Sequence, residues 1–251
     1  MIKFFSIAFL LMCLTVTKVS AGWYQCFNFK GNIGAYPITL SMQIREGYFG
    51  EKNKRSYNLI GVYKYDKFNT PIRLEGRLDT VSNKAVLYET VNDVQTAVFE
   101  FKFSEQRCTG VWRSSKMAKQ SLPLALNLVS KIADVNKGTS FSNTDVLQFE
   151  SLPELYFVAN YSKTKGRDQA QMNQLKIIRK KDNSLYQTLS LENVEAQTGN
   201  VMTIIYDNVT VIDKKRKTLG ISANMGKDIN PLTIFYNSKS GRFYFDKSGV
   251  K

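Results

Sequence analysis

Apolar and polar side chains alternate along most of this chain, so that every second residue is apolar. In residues 36–44 (YPITLSMQI), Ile38, Leu40, Met42 and Ile44 fall on one side of an extended backbone. This spacing is typical of a strand with one buried face, because successive side chains of a strand point to opposite sides. Sustained helical periodicity is not seen in any segment. The sequence therefore predicts an all-β protein.

Similar short segments recur in both halves of the chain. They are residues 57–65, 71–78, 85–88, 97–103, 107–113, 121–128, 155–161, 174–179, 185–191, 201–206, 218–222, 232–236 and 242–245. Strands that recur at intervals of roughly 10–15 residues are typical of antiparallel meanders and barrels. Residues 180–184 (KKDNS) and 237–241 (NSKSG) separate apolar runs and predict hairpin turns.

A polar stretch interrupts the alternation near the middle of the chain. Residues 131–144 include the sequence NKGTS at 136–140, whose residue types favour turns and loops. We therefore predict two antiparallel β-meander or barrel-like modules, at residues 22–130 and 145–251, joined by a linker at 131–144.

The N-terminal residues have the three-part order of a secretory signal peptide. Lys3 precedes an apolar run at residues 4–15, and small residues follow at 19–21 (VSA). A run of this length is too short to span a bilayer comfortably. We predict that residues 1–21 are a signal peptide and that the mature protein is periplasmic or secreted. An uncut N-terminal anchor helix is the alternative.

Removal of that segment would leave Cys26 and Cys108 as the two cysteines of the mature chain, because Cys13 would leave with it. Thiols in an oxidising compartment commonly pair. We expect a Cys26–Cys108 disulfide, with two buried free thiols as the alternative. The pair lacks the C-x-x-C spacing of a catalytic redox site.

The chain is strongly basic, with 35 Lys and Arg against 21 Asp and Glu and a formal net charge of +14. Inside a cell this charge would point to nucleic acid as a partner. For an exported protein we expect anionic envelope glycans or an acidic protein instead. The apolar stretches that follow residue 21 are all shorter than a transmembrane helix, so no transmembrane segment is predicted in the mature chain.

Histidine, the commonest general base and metal ligand, does not occur in the sequence. If the cysteines are paired, a thiolate nucleophile is lost as well. An enzyme would then need a carboxylate pair such as Glu75 with Glu89, a Ser-Lys pair or a tyrosine. We therefore predict a protein that is not an enzyme and has neither a cofactor nor a metal site.

Two stretches resemble known families. In the first half, residues 31–40 (GNIGAYPITL), 61–66 (GVYKYD) and 71–76 (PIRLEG) resemble a module of uncharacterised bacterial envelope proteins that would cover residues 23–128. In the second half, residues 185–189 (LYQTL), 206–208 (YDN) and 232–237 (LTIFYN) are similar to periplasmic lysozyme-inhibitor-like proteins. That group usually carries an acidic D-x-N-F-D-G stretch, whereas residues 207–213 here read DNVTVID.

The second resemblance implies a candidate partner-binding loop at Ser240, Gly241 and Tyr244. Inhibitors of this kind insert a short loop with Ser-Gly and a nearby tyrosine into the cleft of the enzyme. An ordinary hairpin turn would explain the same residues. The basic run Lys214, Lys215, Arg216 and Lys217 is a second candidate for docking to an anionic surface, with a solvated turn as its alternative.

We therefore predict an exported binding protein that inhibits a lysozyme-like hydrolase. The alternative function is a structural or adhesion module that binds envelope glycan or polyanion, and in neither case is nucleic acid an expected partner.

Overall fold

A computed structural model describes residues 24–45, 56–116, 120–134, 138–166, 170–191, 204–221 and 232–245. The predicted signal peptide at residues 1–21 lies outside them. Within these ranges the regular structure is entirely β, which confirms the predicted fold class. The strands are β1 (Tyr24–Ile33), β2 (Tyr36–Arg45), β3 (Ser56–Tyr65), β4 (Ile72–Asp79), β5 (Lys84–Val91), β6 (Val94–Lys102), β7 (Arg107–Ser114), β8 (Ser121–Asp134), β9 (Phe141–Ser151), β10 (Leu155–Lys163), β11 (Gln171–Arg179), β12 (Leu185–Ser190), β13 (Val209–Asp213), β14 (Thr218–Ile221), β15 (Leu232–Asn237) and β16 (Arg242–Phe245).

Strands β1–β8 form a closed antiparallel barrel in which each strand pairs with its neighbour in the chain. Pairing of β1 with β8 closes the barrel and places Gly31 opposite Leu126. The apolar face predicted from the alternation lines the barrel interior, where Ile38, Leu40 and Met42 are fully buried. An eight-stranded barrel is just wide enough for side chains to fill its interior.

Aromatic side chains fill much of that interior. The rings of Tyr63 and Phe99 meet edge to face with centroids 5.1 Å apart, and those of Phe27 and Phe103 do so at 5.3 Å. Burial of rings of this size contributes strongly to the core of a β-protein.

The second module consists of two four-stranded antiparallel sheets, β9–β12 and β13–β16. Phe157 and Ile177 of the first sheet and Ile221 and Ile234 of the second belong to one buried cluster. The Gln187 side chain also joins β12 to β16, since its amide donates to the Phe243 carbonyl at 2.7 Å and accepts from the Phe243 N–H at 2.9 Å. The Gln187 side chain thus makes the two hydrogen bonds that the backbone of a neighbouring strand would make with Phe243.

Strands β8 and β9 occupy much of the segment predicted as a linker at 131–144. Strand β8 continues to Asp134, because its last residues pair with the start of β1, and β9 begins at Phe141. The predicted strand at residues 201–206 is wrong for its described part, since Ile204–Tyr206 form a turn and the strand begins at Val209.

The second module covers the outer wall of the barrel at β1–β3 and buries polar side chains there. Ser41 Oγ accepts a hydrogen bond from the Leu147 N–H at 3.0 Å and donates to Asn28 Oδ1 at 2.6 Å. Gln43 Oε1 accepts from the Ile204 N–H at 3.1 Å. These side chains would face water on an isolated barrel, so their burial marks a specific contact between the modules.

Tyr206 makes a further contact between the modules. Its hydroxyl accepts from the Gly61 N–H at 3.2 Å and lies 2.8 Å from the Gly61 carbonyl oxygen, with the Leu74 carbonyl also within bonding distance. Its ring lies under the Arg73 guanidinium at 4.4 Å. A residue of the second module therefore bonds to the backbone of β3 and of β4.

The predicted Cys26–Cys108 disulfide is absent, and both cysteines are free and buried. Strands β1 and β7 both pair with β8. Cys26 of β1 lies opposite Ile132 of β8, and Cys108 of β7 lies opposite Leu126, six residues away along β8. Six strand residues correspond to about 20 Å, far beyond the reach of a disulfide. Cys108 also packs in the barrel interior, whereas Cys26 packs with the second module outside the wall.

We expect both thiols to resist alkylation in the native protein, because burial raises the pKa of Cys26 and of Cys108 and the thiolate is the reactive form. Peptide mapping after iodoacetamide treatment should find both residues unmodified before unfolding and modified after it, without reductant. A cross-linked Cys26–Cys108 peptide in a non-reducing digest would contradict the free-thiol structure.

The Tyr206 hydroxyl can be tested by Tyr206→Phe. We expect the free energy of unfolding to fall by about 1–3 kcal/mol, because the buried hydroxyl that bonds the backbone of Gly61 and Leu74 would be lost. Urea unfolding measures the change. Tyr244→Phe is the matched control, since Tyr244 is 48% exposed, and it should change the value by less than about 0.5 kcal/mol.

Candidate functional site

A cleft of about 610 Å³ opens between the barrel and the second module. The loop between β3 and β4 forms one side, and turns and strands of the second module form the other. The lining residues are Lys67, Phe68, Thr70, Pro153, Glu154, Leu155, Arg179, Lys180, Lys181, Tyr186, Lys217 and Tyr236.

Asn69 fixes the barrel side of the cleft to the second module. Its side chain is buried and donates to the Lys180 carbonyl at 2.9 Å. Its amide oxygen accepts from Lys64 Nζ at 2.7 Å, and Lys64 also pairs with Asp66 at 3.0 Å. Asn69 has a φ of 55°, a left-handed conformation that asparagine tolerates better than most residues.

The cleft is strongly basic. Its described lining has five cationic side chains (Lys67, Arg179, Lys180, Lys181 and Lys217) and one carboxylate, that of Glu154. Positive charge concentrated in a concave surface raises the local concentration of anions. The predicted turn at 180–184 is confirmed, and it brings Arg179, Lys180 and Lys181 to the cleft.

Tyrosine rings hold two of these cations in place. The Arg179 guanidinium lies 4.6 Å from the centre of the Tyr186 ring, and Lys217 Nζ lies 4.8 Å from the centre of the Tyr236 ring. Both are within the range of cation–π attraction. The two tyrosine hydroxyls are 3.4 Å apart. Arg179 and Lys217 are therefore positioned by contacts within the protein.

Lys180 is a partly buried cation of the cleft. Its Nζ donates to Ser151 Oγ at 3.2 Å, and its backbone N–H donates to the Glu154 carbonyl at 2.9 Å. Burial lowers the pKa of Lys180 from its ordinary value, Glu154 opposes that change and nearby Lys214 adds to it. A bound anion would relieve the repulsion between these cations.

Glu154 pairs with Lys217, which donates a hydrogen bond to its carboxylate. That hydrogen bond is the main reason why the pKa of Glu154 lies below its ordinary value. The backbone around Glu154 is a tight turn between β9 and β10, closed by the Leu152 N–H on the Leu155 carbonyl at 2.9 Å. The carboxylate itself is half exposed, and the hydrogen bond that closes the turn is made by backbone atoms.

The basic run Lys214, Lys215, Arg216 and Lys217 divides in the structure. Asp213 Oδ1 accepts from the backbone N–H groups of Lys215 and Arg216 at 2.8 and 3.0 Å and so shapes the turn before β14. The side chains of Lys214, Lys215 and Arg216 are exposed, and among the four residues Lys217 is the one that lines the cleft.

The other candidate loop, with Ser240, Gly241 and Tyr244, lies at the tip and base of the β15–β16 hairpin. The predicted turn at 237–241 is confirmed, with Gly241 at a φ of 65° and its carbonyl accepting from the Tyr186 hydroxyl. Ser240 is exposed, and its N–H donates to Asn237 Oδ1 at 3.1 Å. Tyr244 is exposed on the face of β16 opposite buried Phe243, and neither Ser240 nor Tyr244 is among the lining residues of the cleft.

Glu75 and Glu89, the carboxylates considered for catalysis, do not meet. Glu75 is exposed and pairs with Arg73 outside the barrel wall. Glu89 is buried and accepts hydrogen bonds from Tyr63 and Thr96. The register places Glu89 beside Leu74 and Glu75 beside Tyr88, so the two side chains point to opposite sides of the wall.

Several cleft residues were not singled out for binding from the sequence, including Phe68, Glu154, Tyr186 and Tyr236. They come from segments that are distant in the chain, and no local pattern marks their convergence. Arg179 meets Tyr186 across the β11–β12 hairpin, and Lys217 meets Tyr236 within the second sheet. Hydrophobic alternation does not specify either contact.

The described residues show no group of three or more His, Cys, Asp or Glu side chains arranged to hold a metal ion. Within the same ranges, a helix with the length and apolar character needed to cross a bilayer is not found. Comparison with protein-family models gave no match, and comparison with curated protein sequences gave none either.

Asn69→Ala tests the connection that shapes the cleft. The matched control is Asn92→Ala, because Asn92 also has a positive φ, 51°, but is exposed in the β5–β6 turn. Both variants incur a backbone penalty of about 1 kcal/mol. Asn69→Ala should lower the free energy of unfolding by about 1–3 kcal/mol more than the control in urea titrations. Equal losses would show that the Asn69 hydrogen bonds contribute little.

Proposed function

We propose that this chain is an exported binding protein whose basic cleft takes an anionic glycan. The observation that carries the proposal is the charge of the described lining, which has five cationic side chains against one carboxylate. Two of the cations are stacked on tyrosines, so a ligand would not have to order them. Preorganisation of this kind lowers the entropic cost of binding.

The shape and polarity of the cleft favour a ligand with a ring as well as a charge. Phe68 is 63% exposed at the rim, and Pro153 and Leu155 add apolar surface nearby. Pockets of several hundred cubic ångströms with mixed apolar and charged walls are typical of small-ligand sites. A sugar ring could lie against Phe68 while its charged substituent meets Arg179 and Lys181.

The proposed compartment comes from the secretory pattern in residues 1–21. Anionic glycans of the bacterial envelope, such as phosphate-bearing lipopolysaccharide or teichoic acid, would then be the accessible ligands. Loss of Lys3 and Lys18 with residues 1–21 would reduce the net charge from +14 to +12, which would still add long-range attraction to such a surface.

Binding of dextran sulfate, with uncharged dextran as the neutral comparison, tests the proposal. A triple variant should weaken binding by about tenfold or more; it combines Lys67→Gln, Lys181→Gln and Lys217→Gln. Each exposed ion pair between a lysine and the ligand contributes up to about 1 kcal/mol. Isothermal titration calorimetry at low and at physiological ionic strength would also show weaker binding as salt screens the charges.

The control is Lys30→Gln with Lys84→Gln and Lys102→Gln, three exposed lysines of the barrel outside the cleft lining. It removes the same charge and should weaken binding far less than the cleft variant. Equal effects of the two triple variants would reject the cleft as the site and leave a general attraction between a basic protein and a polyanion.

A second proposal is inhibition of a lysozyme-like hydrolase by the β15–β16 hairpin. The observation in its favour is that Ser240 and Tyr244 are exposed on a hairpin whose turn is held by Asn237. Ser240→Ala with Tyr244→Ala should then abolish inhibition of at least one lysozyme in a cell-wall lysis assay while the melting temperature stays unchanged. Failure of the unaltered protein against every lysozyme class would exclude this function.

A further inference from the structure

We propose that Glu154 is an internal counterion that occupies Lys217 until a phosphate group of the ligand displaces it. This inference rests on the proposed anion-binding function of the cleft and adds the chemical class of the recognised group. Glu154 supplies the single carboxylate in the described lining, and it pairs with the same lysine that stacks on Tyr236.

The backbone of Glu154 is held in place whether or not the cleft is occupied. The turn hydrogen bond between Leu152 and Leu155 fixes it, and the Lys180 N–H bonds its carbonyl. The carboxylate is therefore tethered beside Lys217 at a high effective concentration. Any ligand anion that binds Lys217 must compete with this tethered group.

Competition with a tethered carboxylate disfavours a carboxylate ligand. Exchange of one carboxylate for another would gain no charge or hydrogen-bond acceptor, and the free ligand would lose translational freedom that the tethered group does not. A phosphate monoester carries about −1.5 to −2 charges at neutral pH and three acceptor oxygens. It could hold Lys217 and still reach a second cation of the cleft, such as Lys181 or Arg179.

Glu154 thus acts as a counterion and a competitor. It neutralises part of the positive charge of the cleft and lowers the affinity of every anion that must displace it from Lys217. A phosphate keeps more affinity after that loss than a carboxylate, because its higher charge and additional acceptor oxygens reach further cations of the cleft.

Titration calorimetry with glucose 6-phosphate, glucuronate and inorganic phosphate tests the inference on the full-length chain. The unaltered protein should bind glucose 6-phosphate several-fold more tightly than glucuronate. Glu154→Gln should tighten the binding of both by about two- to fivefold, the gain expected when an exposed ion pair no longer competes.

Glu105→Gln is the matched control. Glu105 pairs with Lys131 on the barrel, so the substitution removes the same charge from another exposed ion pair outside the cleft lining. It should change affinity for either ligand by less than about 1.5-fold at physiological ionic strength, where charges are screened over about 8 Å. The melting temperature of each variant confirms that it is folded.

The outcomes separate this inference from the proposed function. If the cleft lysines are needed for dextran sulfate binding but Glu154→Gln binds glucose 6-phosphate no more tightly, the competitor role is overturned and the anion site remains. Tighter binding of glucuronate than of glucose 6-phosphate would overturn the phosphate class. If the unaltered protein and Glu154→Gln both fail to bind dextran sulfate and every probe, both proposals are overturned. Equal affinity for inorganic phosphate and glucose 6-phosphate would support phosphate recognition without a sugar.

Discussion

The contact between the outer wall of the barrel and the second module sets the alignment of the two modules, on which the cleft depends. Apolar side chains of the wall, among them Cys26, Val62 and Ile132, share one buried cluster with the second module. Burial of such surface is the main driving force for packing, but it has no direction. The hydrogen bonds of Ser41 and Tyr206 supply direction, since each is satisfied in one alignment of the two modules. That alignment brings the β3–β4 loop to the β11–β12 turn and so creates the cleft.

The cleft also shows how a protein can hold several like charges close together. Lys180 is half buried beside Glu154, and Lys217 and Arg179 each lie over a tyrosine ring. Each partner offsets part of the repulsion among the cations without removing the positive field. An empty cleft of this kind remains attractive to an anion while the fold tolerates its charge. Its stability and its affinity for a ligand therefore depend on the same few partners.

Much of the fold could be predicted from the sequence, because a half-buried strand leaves a period-two pattern. The strands with clear alternation, such as β2, were found, and so were the turns at 180–184 and 237–241. Strands β1 and β9 were missed because both faces are covered in part of each strand. Two buried polar residues mask the alternation. Asn28 of β1 bonds to Ser41 at the contact between the modules, and Gln148 of β9 donates to the Ile204 carbonyl within the second module. The candidate site was predicted only in part, through its basic turns, because its aromatic and acidic members meet only after folding.

The free cysteines follow from the same architecture. A cysteine pair in an exported chain suggests a cross-link, but a pattern in the sequence does not reveal to which side of a barrel wall each side chain points. Cys108 points into the barrel and Cys26 toward the second module. Closure of β1 on β8 already joins strands that are about 100 residues apart in the chain, which is the constraint that a long-range disulfide would otherwise provide. Hydrogen-bonded closure and a shared apolar cluster thus hold this fold together without a covalent link between Cys26 and Cys108.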